Sequence, residues 1–414
     1  MDATLQRCDV AIVGGGLVGA SLALALRGTG LSIAVIEAFA PESSAQPSFD
    51  ERTTALGNGS RRVFEALGVW QQLAPEASQI RRIHISDAGR FGFARLEARD
   101  FDQDALGYVV ANRVLGRELW AALRAQSDVS LRMPARVTQV TLDAEEARLA
   151  VEDASGRYTL GAKLVVAADG AQSLVRQAAG IAVTRDDYAQ TAIVAAVRTD
   201  QADDGTAYER FTQAGPMALL PIRTPQVGHW RTLVWAAKPE EAAALLALEA
   251  SQFLARWQQA FGWRAGRALQ LGHRVAYPLS LVRAGAGIAQ RAVLLGNASQ
   301  ALHPVAGQGF NLGLRDAAEL AELLAAAART REDVGGEALL GTFNAHRDVD
   351  RNGVVRFTDT LVRTFSDERA GIASLRDLGL LLFDLLPPAK RALSRVSFGF
   401  GGHSPRLTRG LPLQ

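Results

Sequence analysis

Residues 10–19 read Val10-Ala11-Ile12-Val13-Gly14-Gly15-Gly16-Leu17-Val18-Gly19, an apolar run that ends in closely spaced glycines. The run is typical of a buried parallel strand, and the small apolar residues at 20–26 predict a helix directly after the turn. In such a turn Gly14 permits the tight bend, Gly16 lets backbone N–H groups approach a pyrophosphate, and Gly19 lets the helix pack on the strand. Because the helix N-terminus then faces the anion, the stretch predicts a dinucleotide-binding fold.

An acidic residue supports the same interpretation. A second apolar run at 31–36 ends at Glu37, about where a dinucleotide fold places the carboxylate that accepts a hydrogen bond from a ribose 2′-hydroxyl. A carboxylate there disfavours a ribose that carries a 2′-phosphate. The alternative is a chance glycine-rich turn, and the strand, the helix and the acid together weigh against it.

A second glycine-rich loop lies near the other end of the chain and reads Gly307-Gln308-Gly309-Phe310-Asn311-Leu312-Gly313. It follows an apolar run at 292–296 and precedes a helix predicted at 314–329. Two such loops at distant positions indicate one large dinucleotide that is held between both segments.

Composition restricts the classes of partner. The 414 residues are enough for two or three domains, and the net charge is only +2. This charge argues against a nucleic-acid binder, which needs a concentrated basic face. The single cysteine, Cys8, cannot form an internal disulfide and indicates a reducing, cytoplasmic compartment.

Neither a metal nor a membrane span is expected. The six histidines show no metal-ligand spacing along the sequence, and no signal peptide is evident. The longest other apolar run, at 378–386, contains Asp384 and ends at Pro387-Pro388. It is too short to cross a bilayer, so it either lies on a membrane surface or packs in the protein.

Hydrophobic patterning predicts an α/β fold that is interrupted by a second sheet. Helices are predicted at 57–67 and 114–125, and a further core strand at 164–168. Between 191 and 237, short β-prone runs alternate with turn residues and predict an inserted antiparallel sheet, and helical composition follows at 239–261. Paired strands are predicted at 129–142 and 147–151.

We therefore predict a discontinuous arrangement of the chain. Residues 1–78, 102–182 and 270–340 are assigned to the nucleotide-binding domain, residues 79–101 and 183–269 to a substrate domain, and residues 341–414 to a helical C-terminal region.

Three motifs resemble the FAD-dependent aromatic hydroxylases of the p-hydroxybenzoate hydroxylase type. The first is the glycine loop with Glu37. The second is Ala168-Asp169-Gly170-Ala171-Gln172-Ser173-Leu174-Val175-Arg176, which matches a family fingerprint for FAD and NAD(P)H, and the third spans residues 295–316. The resemblance covers most of the chain. It implies a Rossmann-like FAD-binding domain with an inserted antiparallel β-sheet substrate domain and C-terminal helices.

Two departures from the usual family pattern point to one branch. Asn297 stands where most relatives carry the aspartate that contacts the FAD ribityl chain, and Gln300 stands where a histidine is common. Both resemble the ubiquinone-biosynthesis branch that oxidises a prenylated 6-methoxyphenol, and the tail segment at 357–361 does so too.

The resemblance also implies site residues. His303 and Pro304 would form a wall beside the flavin and the substrate. The substrate-lining residues would be Pro216, Met217, Leu219 and Pro221. The cofactor contacts would be Gly14, Gly16, Leu17, Val18, Gly19, Glu37, Arg52, Arg113, Val137, Asp169, Gly170, Asn297, Gly307, Gln308, Gly309, Asn311 and Leu312.

Three of these residues have a simpler alternative role. Asp169 is also suited to cap a helix that begins near Ser173. Arg52 is equally suited to an ion pair with Asp50 or Glu51, and Arg113 to a solvated helix face.

The activity implied by the resemblance is the hydroxylation of a polyprenylated phenol ring in ubiquinone biosynthesis. NADPH or NADH would reduce FAD, and O2 would then react to a flavin hydroperoxide that transfers oxygen to the ring. The helix after the second loop would favour anionic reduced flavin, and the pocket must stay dry to avoid loss of hydrogen peroxide. Peripheral contact with the inner face of the membrane and a ubiquinone-biosynthesis assembly are implied as partners.

Rival functions share parts of this pattern. A monooxygenase for a small soluble aromatic would carry the same cofactor motifs. A non-catalytic, prenyl-binding escort with a nucleotide fold would not need FAD, so the absorption spectrum of the protein would separate it. A flavin-dependent halogenase is disfavoured because its lysine and tryptophan-rich signatures are missing.

Overall fold

The computed structural model describes residues 5–43, 46, 48–90, 92–212, 215–224, 226–303, 307–366 and 403–413. The expectations for Pro304 and for the apolar run at 378–386 lie outside the described residues.

The elements are numbered in chain order. The strands are β1 (Leu5–Val13), β2 (Ile33–Ile36), β3 (Thr53–Gly57), β4 (Ser78–Ile80), β5 (Arg82–Asp87), β6 (Phe93–Glu97), β7 (Gly107–Ala111), β8 (Val129–Arg132), β9 (Ala135–Leu142), β10 (Ala147–Asp153), β11 (Gly156–Ala167), β12 (Val183–Thr199), β13 (Thr206–Thr212), β14 (Gly215–Pro221), β15 (His229–Ala237), β16 (Ala268–Leu271), β17 (Val275–Ala284), β18 (Ile288–Ala289), β19 (Ala292–Leu294) and β20 (Gln300–Ala301). The helices are α1 (Leu17–Ala25), α2 (Asn58–Ala66), α3 (Trp70–Leu73), α4 (Asn112–Arg124), α5 (Leu174–Ala178), α6 (Pro239–Ala247), α7 (Ala250–Phe261), α8 (Gln308–Thr330) and α9 (Glu337–Ser366).

The first sheet has the parallel core that the sequence predicts. Strands β19, β11, β1, β2 and β8 run parallel in this order, and β1 lies at the centre. Val10 and Ile12 pack into one hydrophobic core, whereas Ala11 and Val13 pack into another on the opposite face. Burial on both faces explains why this strand is apolar throughout instead of alternating.

The second sheet is mainly antiparallel and is built on the long strand β12. Its order is β20-β17-β12-β15-β14-β13-β5-β6, and helices α6 and α7 cover one of its faces. One expectation is corrected here. Strand β17 was assigned with the nucleotide-binding segments, but it pairs along β12 in the second sheet. The prediction failed because strand pairing between distant segments leaves no local pattern in the sequence.

A third sheet of strands β3, β7 and β4 lies between the other two parts of the fold. The predicted helices at 57–67, 114–125 and 314–329 are confirmed as α2, α4 and α8, and α8 begins six residues before its expected start. Residues 403–413 return to this part of the molecule, where Leu407 is buried in the same core as α2 and α8. None of the helices in the described ranges has the length and apolar character needed to cross a membrane. The predicted α/β architecture with an inserted antiparallel sheet is confirmed.

Candidate cofactor and substrate site

The first glycine loop depends on glycine for steric reasons. Gly14 has φ +101°, and a Cβ atom there would lie 2.3 Å from the carbonyl oxygen of Ala168. A Cβ atom on Gly19 would lie 2.0 Å from the carbonyl oxygen of Gly14. The loop therefore holds β1, α1 and the end of β11 in direct contact. Gly16 is the N-cap of α1 and has no side chain to cap the helix, so the first-turn amides suit an anionic ligand.

Glu37 is held against this loop. Its Oε2 accepts a hydrogen bond of 2.6 Å from the Gly15 amide, and its Oε1 accepts one of 2.9 Å from the Phe39 amide. A carboxylate offers about four acceptor positions, so both oxygens retain capacity for a ligand hydroxyl. The ribose contact of Glu37 stays a prediction, and its position beside the loop is the one that such a contact requires.

The second glycine loop meets the first. Gly307 has φ +60° and is the N-cap of α8, again without a capping side chain. The Val18 side chain of α1 lies between Gly296 and Gly313, where added Cβ atoms would approach Val18 Cγ2 to 3.2 and 3.1 Å. Two segments from opposite ends of the chain are thus packed together near the N-termini of two helices.

Gly309 and Asn311 differ sharply within the second loop. Gly309 is exposed, and a Cβ atom there would meet nothing within 4 Å, so this position opens onto free space. Asn311 is buried, and its Nδ2 donates to the carbonyl oxygens of Ala55 and Gly307 at 2.8 and 2.7 Å. Its Oδ1 accepts from the Gly57 amide and the Ser60 hydroxyl at 2.8 and 2.6 Å.

The predicted cofactor contact of the Asn311 side chain is therefore corrected. A primary amide has two donor hydrogens and two acceptor lone pairs, and the protein itself uses all four. Asn311 fixes the loop to β3 and α2, and its side chain has no polar group left for a ligand.

Asp169 has the capping role that the sequence suggests, and its contact with the cofactor stays a prediction. Its Oδ2 accepts from the amides of Leu174 and Val175 at 2.8 and 3.4 Å, so it helps to cap α5 together with Ser173. Its Oδ1 is buried and hydrogen-bonds to no residue that the structure describes. Burial raises the pKa of this carboxyl group. Buried oxygens normally accept a hydrogen bond, and a bound cofactor could donate one to Asp169 Oδ1 from a hydroxyl group or through a water molecule.

Arg52 makes the ion pair of the simpler alternative, and Arg113 on α4 is also ion-paired. Arg52 Nε lies 2.5 Å from Asp50 Oδ2, and its guanidinium stacks over the Tyr277 ring. Arg113 Nε lies 2.9 Å from Glu51 Oε1. Their flavin contacts stay predictions.

Three further expected contacts differ in exposure. Asn297 is exposed on the turn after β19, Val137 is partly buried on β9, and the Leu312 side chain is fully buried in α8. The contacts of these residues with the cofactor stay predictions.

Side chains of β14 point alternately to the two faces of the sheet, and this changes which of them can line the substrate site. Met217 and Leu219 are fully buried beneath α7 with Trp235 and Phe253. Because successive side chains of a strand point to opposite faces, Pro221 shares this face. Pro216 points to the other face. The lining role is therefore wrong for Met217, Leu219 and Pro221.

The face opposite α7 carries a row of four partly exposed residues, which we call the trough. Strand register places Glu209, Ala218, Val234 and Val194 side by side across β13, β14, β15 and β12. All four are partly exposed, whereas most residues of the rows on either side are buried. The floor of this trough is apolar except for the single carboxylate of Glu209.

One wall of the trough leads to the second glycine loop. The hydroxyl groups of Thr53 on β3 and Thr232 on β15 lie 3.2 Å apart, and Leu220 packs in one cluster with Ala55. A Cβ atom on Gly307 would lie 3.0 Å from Ala55 Cβ. The trough and the loop therefore face each other across β3.

His303 stands at the opposite wall. Its Nε2 lies 3.3 Å from Gln190 Oε1, and its ring packs edge-on against Tyr188. Burial lowers the pKa of His303 to about 4, so the ring is neutral at physiological pH. The imidazole is only 1% exposed, and its role as a wall beside the flavin and the substrate stays a prediction.

The structure brings together three possible metal ligands that the spacing of histidines in the sequence does not predict. No two of the three residues Glu319, His346 and His403 are close in sequence, yet each histidine Nδ1 lies 2.7 Å from one oxygen of the buried Glu319 carboxylate. The three side chains form a group with the composition of a metal site, and sequence spacing alone had no means to detect it.

The comparisons with known proteins agree with this geometry. The family described as FAD binding domain matches residues 7–358. The chain therefore belongs to this family of flavoproteins, and FAD is its cofactor.

Among individual relatives, the ubiquinone hydroxylase UbiL of Rhodospirillum rubrum is 38% identical over 98% of this chain and 93% of its own length. The 3-demethoxyubiquinol 3-hydroxylase of Escherichia coli is 32% identical over 96% of this chain and its full length. The human ubiquinone biosynthesis monooxygenase COQ6 is 29% identical over 93% of this chain and 91% of its own length. The crystal structure of p-nitrophenol 4-monooxygenase from Pseudomonas putida shares the fold with a TM-score of 0.79, at 19% identity over 96% of this chain and 99% of that chain.

The residues present fit FAD. The glycines leave room for a pyrophosphate, and two helices without capping side chains are in contact through Val18 and Gly313. Asp169 has a buried oxygen without a hydrogen-bond partner among the described residues. These features are the ones a dinucleotide cofactor completes.

Proposed function

We propose that this protein is an FAD-dependent monooxygenase that hydroxylates the aromatic ring of a polyprenylated phenol, a precursor of ubiquinone, with NAD(P)H and O2 as co-substrates. The observation that carries the proposal is the trough of Ala218, Val234 and Val194, which faces the second glycine loop. An apolar floor of small residues suits a flat ring with an apolar tail. The names of the Rhodospirillum and Escherichia relatives support the same substrate class.

The chain contributes binding, orientation and electrostatics. The amides at the start of α1 would hold the pyrophosphate, and the start of α8 would place a positive dipole end at the edge of the flavin ring. When bound, FAD supplies the electron transfer from NAD(P)H and the activation of O2. The small apolar side chains of the trough orient the substrate ring and exclude water from it.

The substrate also suggests where the enzyme works. A polyprenyl tail partitions into a bilayer, so we place the protein in the cytoplasm, in peripheral contact with the inner face of the membrane and within a ubiquinone-biosynthesis assembly. This contact would bring the trough to a substrate that water does not dissolve.

The test uses the purified protein with its FAD. It is mixed with NADPH, isotopically labelled O2 and a short-chain prenylphenol, and the products are analysed by mass spectrometry. We expect NADPH oxidation to accelerate on addition of the phenol, and one labelled oxygen atom to enter the ring. NADPH oxidation that is insensitive to the phenol, without hydroxylated product, would contradict the proposal, and conversion of only a tail-free phenol would contradict the substrate class.

A further inference from the structure

Glu209 is an acidic group that neither the sequence motifs nor the cofactor site accounts for. It lies on β13 between Tyr208 and Arg210, whose side chains face α7: the Tyr208 ring packs on Phe261, and Arg210 Nε donates to the Ala260 carbonyl oxygen. Strand alternation therefore turns Glu209 to the opposite face, where it pairs in register with Ala218 on the floor of the trough.

The surroundings of Glu209 are unusual for a buried carboxylate. Neither a hydrogen bond nor an ion pair joins it to any residue in the described ranges. Its side chain is nevertheless partly exposed, so a molecule in the trough can reach it. Buried carboxylates in proteins are normally paired, because an unpaired one costs several kcal/mol, on the order of the net stability of a domain. An acid kept unpaired in an apolar trough implies a partner supplied by the ligand.

The electrostatic environment points the same way. Burial alone raises the pKa of Glu209 to about 7. The charged groups that face this region are paired with other side chains. Asp87 lies on β5, two residues after the residue that pairs with Glu209, and it is 3.9 Å from Arg90. Arg52 is paired with Asp50. His303 at the far wall is neutral. Glu209 is thus a carboxyl group that changes between acid and base near neutral pH.

We propose that Glu209 is the catalytic acid–base residue that takes the proton from the phenol hydroxyl of the substrate in the trough. This inference rests on the proposed function. The phenol O–H bond breaks, its electron pair stays on the phenolic oxygen, and a new O–H bond forms on a Glu209 carboxylate oxygen. A ring carbon ortho or para to this oxygen then gives an electron pair to a hydroxyl group derived from O2, with NAD(P)H as the reductant and the second oxygen atom leaving as water. That carbon releases its hydrogen as a proton to solvent, and the phenolic oxygen recovers its proton from Glu209.

This role matches the chemistry of the ring. A phenolate pushes electron density into its ortho and para carbons, which are then better nucleophiles towards an electrophilic oxygen. A general base contributes most when its pKa lies near the working pH, and it typically accelerates a reaction about 10²–10⁴-fold. Glu209 meets that requirement, because its apolar surroundings raise its pKa to about 7 without any charged neighbour.

The experiment compares the FAD-loaded wild type with E209Q, E209D and a matched control, E152Q, which makes the same chemical change on β10. Binding is measured first, without NAD(P)H, from the perturbation of the flavin spectrum by a short-chain prenylphenol and by its methyl ether. We expect the wild type to prefer the phenol, with a preference that rises through about pH 7 to roughly ten-fold, since an ionised carboxylate accepts a strong hydrogen bond. E209Q should show no such pH dependence.

Turnover is measured second, as hydroxylated product against pH. The wild-type and E152Q rates should rise through about pH 7, E209D should keep the rise at a lower rate, and E209Q should be about 100-fold slower. E209Q should recover as the pH approaches about 10, where a free phenol ionises without help. A merely structural residue would not produce this recovery.

The two ideas fail separately. If the wild type hydroxylates the prenylphenol and E209Q matches it in rate, pH profile and phenol preference, the role of Glu209 is refuted and the proposed function stands. If the wild type makes no product, the proposed function fails, and an equal affinity of the wild type for phenol and methyl ether at every pH would refute the role of Glu209 as well.

Discussion

Two neighbouring positions in the second glycine loop show how differently single residues contribute to the site. Gly309 faces open space, and the absence of a side chain there keeps that space free. Asn311 is enclosed, and its side chain joins α8 to β3 and α2 through four hydrogen bonds. The first residue should govern cofactor binding and the second should govern folding.

Substitution of Gly309 tests the first role. In G309D a carboxylate occupies the open space at the start of α8 where we expect the flavin ring, and its charge offsets the positive dipole end of the helix. We expect G309D to bind FAD at least about ten-fold more weakly, measured by flavin fluorescence titration. The FAD-free protein should keep its melting temperature, because an acidic residue suits a helix N-terminus. G309A is the control, and equal FAD affinity in both variants would refute this role.

Substitution of Asn311 tests the second role. In N311D the two donor hydrogens are lost, and oxygen atoms then face the carbonyl oxygens of Ala55 and Gly307. We expect the free energy of unfolding of the FAD-free protein to fall by about 2–4 kcal/mol in urea denaturation, since two buried acceptors lose their donors. Unchanged stability together with a loss of FAD would instead restore a cofactor contact for this side chain.

Glu209 should make stability depend on pH. In the unfolded chain its carboxyl ionises near 4.5, whereas in the folded protein burial raises the pKa to about 7. Between these values the folded state binds more protons, so the contribution of Glu209 to stability falls as the pH rises from 4.5 to 7. We expect thermal denaturation of E209Q to lack this part of the decline. A parallel decline in wild type and E209Q would show that the carboxyl ionises normally.

At the scale of elements, the alternation of strands in the second sheet separates its structural face from its chemical face. Met217 and Ala218 are adjacent in β14, yet Met217 is buried under α7 and Ala218 lies in the trough. The motif around Gly215-Pro216 is recognisable in the sequence, but the motif does not tell which of its residues face the ligand. Only the pairing of β14 with β15 decides this.

Adjacent substitutions in β14 should therefore have opposite effects. M217A removes fully buried atoms and should lower the free energy of unfolding by about 2–5 kcal/mol, with little change in the KM for a prenylphenol. A218L adds bulk to the trough floor and should raise this KM several-fold, roughly the effect of 1 kcal/mol, with little change in stability. Urea denaturation and steady-state kinetics on both variants check this, and a reversed pattern would contradict the assigned faces.

Local patterns predicted local structure well. The apolar run at 10–13, the glycines after it and the following helix are found as β1, the loop and α1, because their features act within one turn of the chain. The long strand pairing of β12 with β17 was not predicted, since it joins segments that are distant in sequence. Glu209 had only a weak local signal, an acid that alternates with Ala207 and Phe211 in a β-prone run.

At the scale of the whole molecule, function depends on contacts between segments that are far apart in the chain. Val18 packs between Gly296 and Gly313, and Glu319 of α8 binds His403 from the last described segment. The glycine motifs made the first contact predictable, because both belong to one cofactor. The second left no trace in the spacing of the histidines.

The central claim is that one FAD is held jointly by the loops at 14–19 and 307–313. A crystal structure of the FAD complex tests it most directly. We expect the pyrophosphate within hydrogen-bond distance of the amides at the start of α1, and the flavin ring between the start of α8 and the trough that contains Glu209. FAD bound by only one of the two loops, or a flavin ring turned away from the trough, would contradict the account.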